Sequence, residues 1–126
     1  MTNYVYKISA RASFCASLKI VGSKGSCAKL HGYTYNVTVI LQTSGLNNLG
    51  FAFDYDLLNK ELTSLCQQVD YCYLNDHLLF EKLSPSCENI AMVFLNSLKS
   101  TLKLNDKQKL IIQINTKPGC VVEVSC

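Results

Sequence analysis

From Tyr33 to Leu41 the chain places an apolar side chain at every second position. Tyr33, Tyr35, Val37, Val39 and Leu41 alternate with Thr34, Asn36 and Thr38. A period of two over this length marks a strand with one dry face and one wet face. The chain must therefore build a sheet and find something to cover one side of it. A second extended stretch precedes it: from Tyr4 to Ile20, Tyr4, Tyr6 and Ile8 alternate with Val5 and Lys7, and Phe14, Ala16 and Leu18 share one side. The flexible run Gly22-Ser23-Lys24-Gly25-Ser26 separates the two, so they are expected to lie antiparallel.

The cover comes from the middle of the chain. After the turn Ser44-Gly45-Leu46-Asn47-Asn48, Asp54 can cap a helix in which Leu58, Leu62, Leu65 and Val69 recur at helical spacing. A second helix is expected to open at Ser84-Pro85, with the proline in the first turn, and it carries Ile90, Ala91, Phe94, Leu95, Leu98 and Leu102 on one stripe. Lys109 to Thr116 and Val121 to Cys126 then flank Lys117-Pro118-Gly119-Cys120, a hairpin turn. The order ββααββ predicts an α+β fold: a four-stranded antiparallel sheet with two helices on one face. No linker or repeat divides it, so residues 1–126 read as one domain.

Composition narrows the class. With 48% hydrophobic and 17% charged residues, the 126-residue chain is rich in core for its size, and surface buried between copies is expected. The net charge is +3 and the basic residues are scattered, with no basic stripe interleaved with aromatics, which argues against nucleic acid. No apolar run reaches the roughly 20 residues needed to span a bilayer, and the N-terminus lacks the apolar segment of a signal peptide. The seven cysteines are an odd number, and with no secretion signal they read as reduced thiols in a cytoplasmic protein.

Chemistry concentrates in "SCAKLHGYTYNV", Ser26 to Val37. Cys27 ends a glycine-serine loop between Lys24 and Lys29, a setting that favours a thiolate, although most cysteines are simply small apolar side chains. His31 and Tyr33 lie two apart on a strand and so share a face, which Leu18 can join from the first strand. One imidazole and one phenol do not make a zinc site. Asp70, Tyr71, Asn75, Asp76 and His77 form a polar loop that could orient a substrate or could merely be solvated. Glu88, near the start of the second helix, is accounted for by the helix dipole alone.

Six segments together resemble the 6-pyruvoyl-tetrahydropterin and 6-carboxytetrahydropterin synthase family: "FCASL" at 14–18, "CAKLHGYTY" at 27–35, "GFAFDY" at 50–55, "VDYCYLND" at 69–76, "PSCENIA" at 85–91 and "INT" at 114–116. The resemblance implies the tunnelling fold, in which subunits of four strands and two helices close a β-barrel as trimers and stack as hexamers. It also implies zinc held by three histidines, a cysteine assisted by an aspartate–histidine pair, and a glutamate that anchors the pterin ring. Carried over, Cys27 and Asp70 match catalytic positions, with Tyr71 in place of the histidine. Ser86 and Glu88 match substrate-binding positions, and Asn115 stands in place of the anchoring glutamate. Of the metal ligands only His31 is retained, with Leu18 and Tyr33 replacing the other two.

Leucine offers no donor, so zinc is expected to be absent. Cys15 cannot substitute, because on a regular strand it faces away from position 18. Asn115 keeps a carbonyl acceptor but loses the charge-assisted grip of a carboxylate. The resemblance thus implies a pteridine-processing lyase of tetrahydropterin or queuosine precursor synthesis whose zinc-dependent activity is lost or altered. The alternatives are a non-catalytic oligomer that binds a pterin or purine or partners an active paralogue, and metal-free aldol-type pterin chemistry at Cys27.

Overall fold

The computed structural model describes residues 3–126. Two strands of thirteen residues, β1 (Tyr6–Leu18) and β2 (His31–Thr43), pair antiparallel along their whole length, from Tyr6 opposite Thr43 to Leu18 opposite His31. This register puts Ile8, Ala10, Ala12, Phe14, Ala16 and Leu18 on one face with Leu41, Val39, Val37, Tyr35, Tyr33 and His31. The helices α1 (Tyr55–Val69) and α2 (Cys87–Leu102) cover that face. Strand β4 (Gln108–Lys117) pairs antiparallel with β2 and adds Leu110, Ile112 and Ile114 to the core, and β5 (Cys120–Ser125) closes the hairpin at the edge. Its turn uses Gly119 at φ 78°, where a side chain would be strained.

The core is built almost entirely of apolar side chains. Phe14 stacks on Tyr35 with ring centroids 4.6 Å apart and meets Phe94 of α2 at 5.7 Å. Leu58 and Leu62 of α1 and Leu98 of α2 fill the space between helices and sheet. Each such side chain contributes about 1.5–3 kcal/mol by leaving water. The helix starts are fixed by side chains. Asp54 Oδ1 accepts from the N–H groups of Asp56 (3.0 Å) and Leu57 (3.2 Å), as expected.

Three expectations are corrected. The sheet has five strands in the order β3-β1-β2-β4-β5, since Cys72–Tyr73 forms a short strand β3 parallel to β1 at Ala16 and Ser17. Two residues carry no alternation, which is why periodicity missed it. The first strand spans Tyr6–Leu18 and not Tyr4 to Ile20, because β2 offers partners only over that range. The second helix is capped by Ser86, whose Oγ accepts from Asn89 N–H at 3.2 Å, so Pro85 precedes the cap and does not sit in the first turn. Among the described residues no helix is long and apolar enough to cross a membrane.

Candidate functional site

The end of β1 and the beginning of β2 bring the metal-like positions together. Leu18 is directly opposite His31, and Tyr33 is opposite Ala16 on the same face. Gly32, between them, runs so close to β1 that a Cβ there would meet the Ala16 carbonyl oxygen at 3.1 Å. That approach explains a glycine at this point of the strand. His31 Nδ1 lies 2.7 Å from the Lys29 carbonyl oxygen. A carbonyl can only accept, so Nδ1 carries a proton, and in the neutral ring Nε2 is the nitrogen left with a lone pair.

The other two positions present no comparable donor. Leu18 is 3% exposed and belongs to the core. The Tyr33 ring stands edge-on between His31 (centroids 5.1 Å, 90°) and Tyr35 (5.8 Å, 80°), so an aromatic series runs from the site into the core. Burial, with Cys87 and Tyr33 nearby, pushes the Tyr35 phenol above its ordinary range. Burial and then Glu88 push the Cys87 thiol up. One imidazole, one phenol and one isobutyl group do not fit a zinc ion. Among the described residues no three His, Cys, Asp or Glu side chains are grouped to hold a metal.

Cys27 lies in a 3₁₀ turn, Gly25–Ala28, and is exposed. Its carbonyl accepts from Ile20 N–H at 2.8 Å, which ties the turn back to the end of β1. Asp70, its expected catalytic companion, is engaged elsewhere: Oδ1 accepts from the Cys15 backbone N–H at 2.8 Å. Tyr71, at φ 58°, donates its N–H to the Cys15 carbonyl at 2.6 Å and leaves its ring 84% exposed. Asp70 and Tyr71 thus clamp both backbone groups of Cys15 at the sheet edge. Farther along, Asn75 accepts from Lys19 N–H and donates to Lys19 C=O, each at 2.9 Å. His77 Nδ1 accepts from Leu79 N–H (3.1 Å) while Nε2 donates to the Gln68 carbonyl (3.0 Å). The polar loop that sequence could read as substrate-orienting is occupied in holding the chain together.

Cys15 faces away from Leu18, as strand geometry requires, and its sulfur is 3.4 Å from the Thr34 hydroxyl. Together with Ser17, Tyr71 and Cys72 these two line a groove of about 480 Å³. Ser86 caps α2 and Glu88 is exposed in its first turn. Asn115 pairs with Asn36 on β2, so its side chain lies on the helix-free face, in a groove of about 580 Å³ that also includes Arg11, Ser13 and Thr38. His31 is five residues from Asn36 along the same strand, about 16 Å, and on the opposite face. Within one subunit, Asn115 and His31 cannot touch the same small ligand.

The comparisons with known proteins agree with this frame. The model of the family described as 6-pyruvoyl tetrahydropterin synthase matches residues 7–125. The chain belongs to that family. It is similar to the 6-carboxy-5,6,7,8-tetrahydropterin synthase of Rickettsia bellii, 25% identical over 138 residues that cover 94% of this chain and 99% of that protein. The 6-carboxy-5,6,7,8-tetrahydropterin synthase of Bacillus subtilis is 25% identical over 96 residues, covering 73% of this chain and 64% of that protein. Among solved structures, the Caenorhabditis elegans 6-pyruvoyl tetrahydropterin synthase superposes with a TM-score of 0.82 at 22% identity, over 100% of this chain and 99% of that one. The α+β tunnelling fold is therefore the fold of this family member.

Proposed function

We propose that this chain is a divergent pteridine-binding member of its family that works as a cytoplasmic homo-oligomer, a trimer or hexamer, and has lost or altered the zinc-dependent lyase step. The observation that carries the reading is the convergence of Leu18, His31 and Tyr33 on one face with a single nitrogen donor among them. Zinc stripped of water needs about four donors, and a leucine buried in the core leaves no room for a water to replace one. The ring-anchoring position also changes character: Asn115 can accept from or donate to a heterocycle edge, but without a charge.

Two features support assembly. Among the described residues, the outer edge of β1 has no partner strand from Tyr6 to Phe14, and β5 has none along its outer side. Such edges invite pairing with another copy. Because Asn115 and the His31 end lie on opposite faces, a ligand pocket that uses both has to be built between copies. The substrate class follows from the family: a pteridine of tetrahydropterin or queuosine precursor synthesis.

A second reading, metal-free aldol-type cleavage at Cys27, is favoured by that thiol's exposure on a turn tied to Ile20, two residues beyond Leu18. One experiment addresses both. Purified protein is incubated with dihydroneopterin triphosphate and with dihydroneopterin, with and without chelator, alongside Cys27→Ser. Pteridine binding with no chelator-sensitive turnover is expected. Turnover of the triphosphate that a chelator abolishes would overturn the proposal, and chelator-insensitive cleavage of dihydroneopterin lost in Cys27→Ser would establish the second reading.

A further inference from the structure

Among the described residues, Tyr71 is the one aromatic side chain held on a left-handed backbone, at φ 58°. That conformation strains a bulky residue, whereas a glycine adopts it freely. The ring gains no burial in return, since it stays 84% exposed. What holds it is the clamp on Cys15: the Tyr71 N–H donates to the Cys15 carbonyl at 2.6 Å, while Asp70 Oδ1 accepts from the Cys15 N–H at 2.8 Å. A strained backbone held this firmly, with its ring left in solvent, points to function and not to packing.

That ring is one wall of the groove of about 480 Å³. The strand register supplies the floor as two rows on the helix-free face, Cys15 opposite Thr34 and Ser17 opposite Gly32. Gly32 contributes no side chain, so a flat molecule can lie on the strand beside the Thr34 and Ser17 hydroxyls. The Cys15 sulfur, 3.4 Å from the Thr34 hydroxyl, adds a soft, polarisable atom to the same surface. Among the described residues, no lysine, arginine, aspartate or glutamate lines this groove. An aromatic wall, a bare floor and neutral hydroxyls at the margin suit an uncharged heteroaromatic ring, stacked on one face and hydrogen-bonded at its edge.

We propose that this groove takes the flat ring of the pteridine, with Tyr71 as its stacking platform and Thr34 and Ser17 as its edge partners. The inference rests on the pteridine-binding reading and says where the ring lies. The ring is then on the same face of the sheet as Asn36 and Asn115. Thr34 and Asn36 are two residues apart on β2, about 7 Å, so a substituent on the ring can extend toward the two amides. His31 lies on the helix side of the sheet, so binding in the groove needs neither its imidazole nor a metal. The face of the Tyr71 ring does the holding, and its hydroxyl is not required.

The test is calorimetric titration with dihydroneopterin, with circular dichroism to check that each variant is folded. Tyr71→Gly removes the ring and relaxes the backbone, and should weaken binding by roughly tenfold or more, whereas Tyr71→Phe should stay within about threefold of the parent. Iodoacetamide labelling, read by peptide mass spectrometry, gives a second measurement on the parent protein. Dihydroneopterin at ten times its dissociation constant should slow labelling of Cys15 about tenfold and leave that of Cys120, exposed in the hairpin, unchanged. A parent that binds dihydroneopterin with Cys15 unprotected, or a folded Tyr71→Gly variant that binds as the parent does, would overturn this placement and leave the pteridine reading intact. Tyr71→Phe as weak as Tyr71→Gly would move the role to the hydroxyl and overturn the stacking. A parent that binds no dihydroneopterin would overturn the placement and the pteridine reading together.

Discussion

Restoring imidazoles at positions 18 and 33 should rebuild a zinc site, because the backbone already sets Leu18 opposite His31 and Tyr33 on the same face. The double variant Leu18→His, Tyr33→His starts from a deficit. Leu18 is 3% exposed, so its removal forfeits about 1.5–3 kcal/mol of burial. An imidazole placed there without a partner costs a further ~1–3 kcal/mol. Losing the edge contacts of the Tyr33 ring costs about 0.5–1.5 kcal/mol. The metal-free variant should therefore be weaker by about 3–7.5 kcal/mol, a large share of a domain stability of about 5–15 kcal/mol. Zinc at a hundred times its dissociation constant returns about 2.7 kcal/mol. In a domain of this size that raises Tm by roughly 10 °C. The Nδ1–H bond from His31 to the Lys29 carbonyl already orients Nε2 as a ligand. Thermal melts with zinc, magnesium and chelator, together with elemental analysis, read the outcome. A variant whose Tm does not rise when zinc is added, and whose bound zinc does not exceed the parent's, would refute the convergence of these strands as the route to a metal site.

Two further outcomes follow from groups around the site. Asp70→Ala should lower stability by about 1–3 kcal/mol in urea melts, since it strands the Cys15 N–H, whereas Asp70→Asn keeps an acceptor and should cost much less; equal losses would mean the clamp is not what Asp70 provides. Burial, and then the Asp70 carboxylate, push the Cys66 thiol up to about 12 from an ordinary 9.0, so the native state keeps a proton that the unfolded chain releases. That contribution is complete below pH 9 and is lost as pH rises toward 12, so melts over this window should fall more steeply for the parent than for Cys66→Ala, and parallel slopes would remove Cys66 from the account.

What the sequence showed and what it hid divide along a physical line. Period and parity are local properties, so the helices at Tyr55–Val69 and Cys87–Leu102 and the shared face of Leu18, His31 and Tyr33 could all be read from spacing. Even the Ser86 cap differs from the expected Ser84-Pro85 start only because two serines compete within three residues, and the one whose Oγ reaches Asn89 N–H wins. Asn115 shows where parity alone stops: its face is fixed by its own strand, but its distance from His31 depends on which β2 residue it meets, and that register is non-local.

The polar loop marks the limit most clearly. Asp70 and Asn75 have the composition of a substrate-binding loop, and nothing within ten residues of either says otherwise. Their partners are the backbone groups of Cys15 and Lys19, 55 and 56 residues away. A buried or half-buried backbone group must find a partner, and an edge strand presents such groups in a row. Side chains that satisfy them look in sequence like side chains reserved for a ligand. Here the same clamp that takes Asp70 away from Cys27 also ends the open edge of β1 at Phe14. The edge left open thereby runs from Tyr6 to Phe14, nine residues, longer than the six of β5.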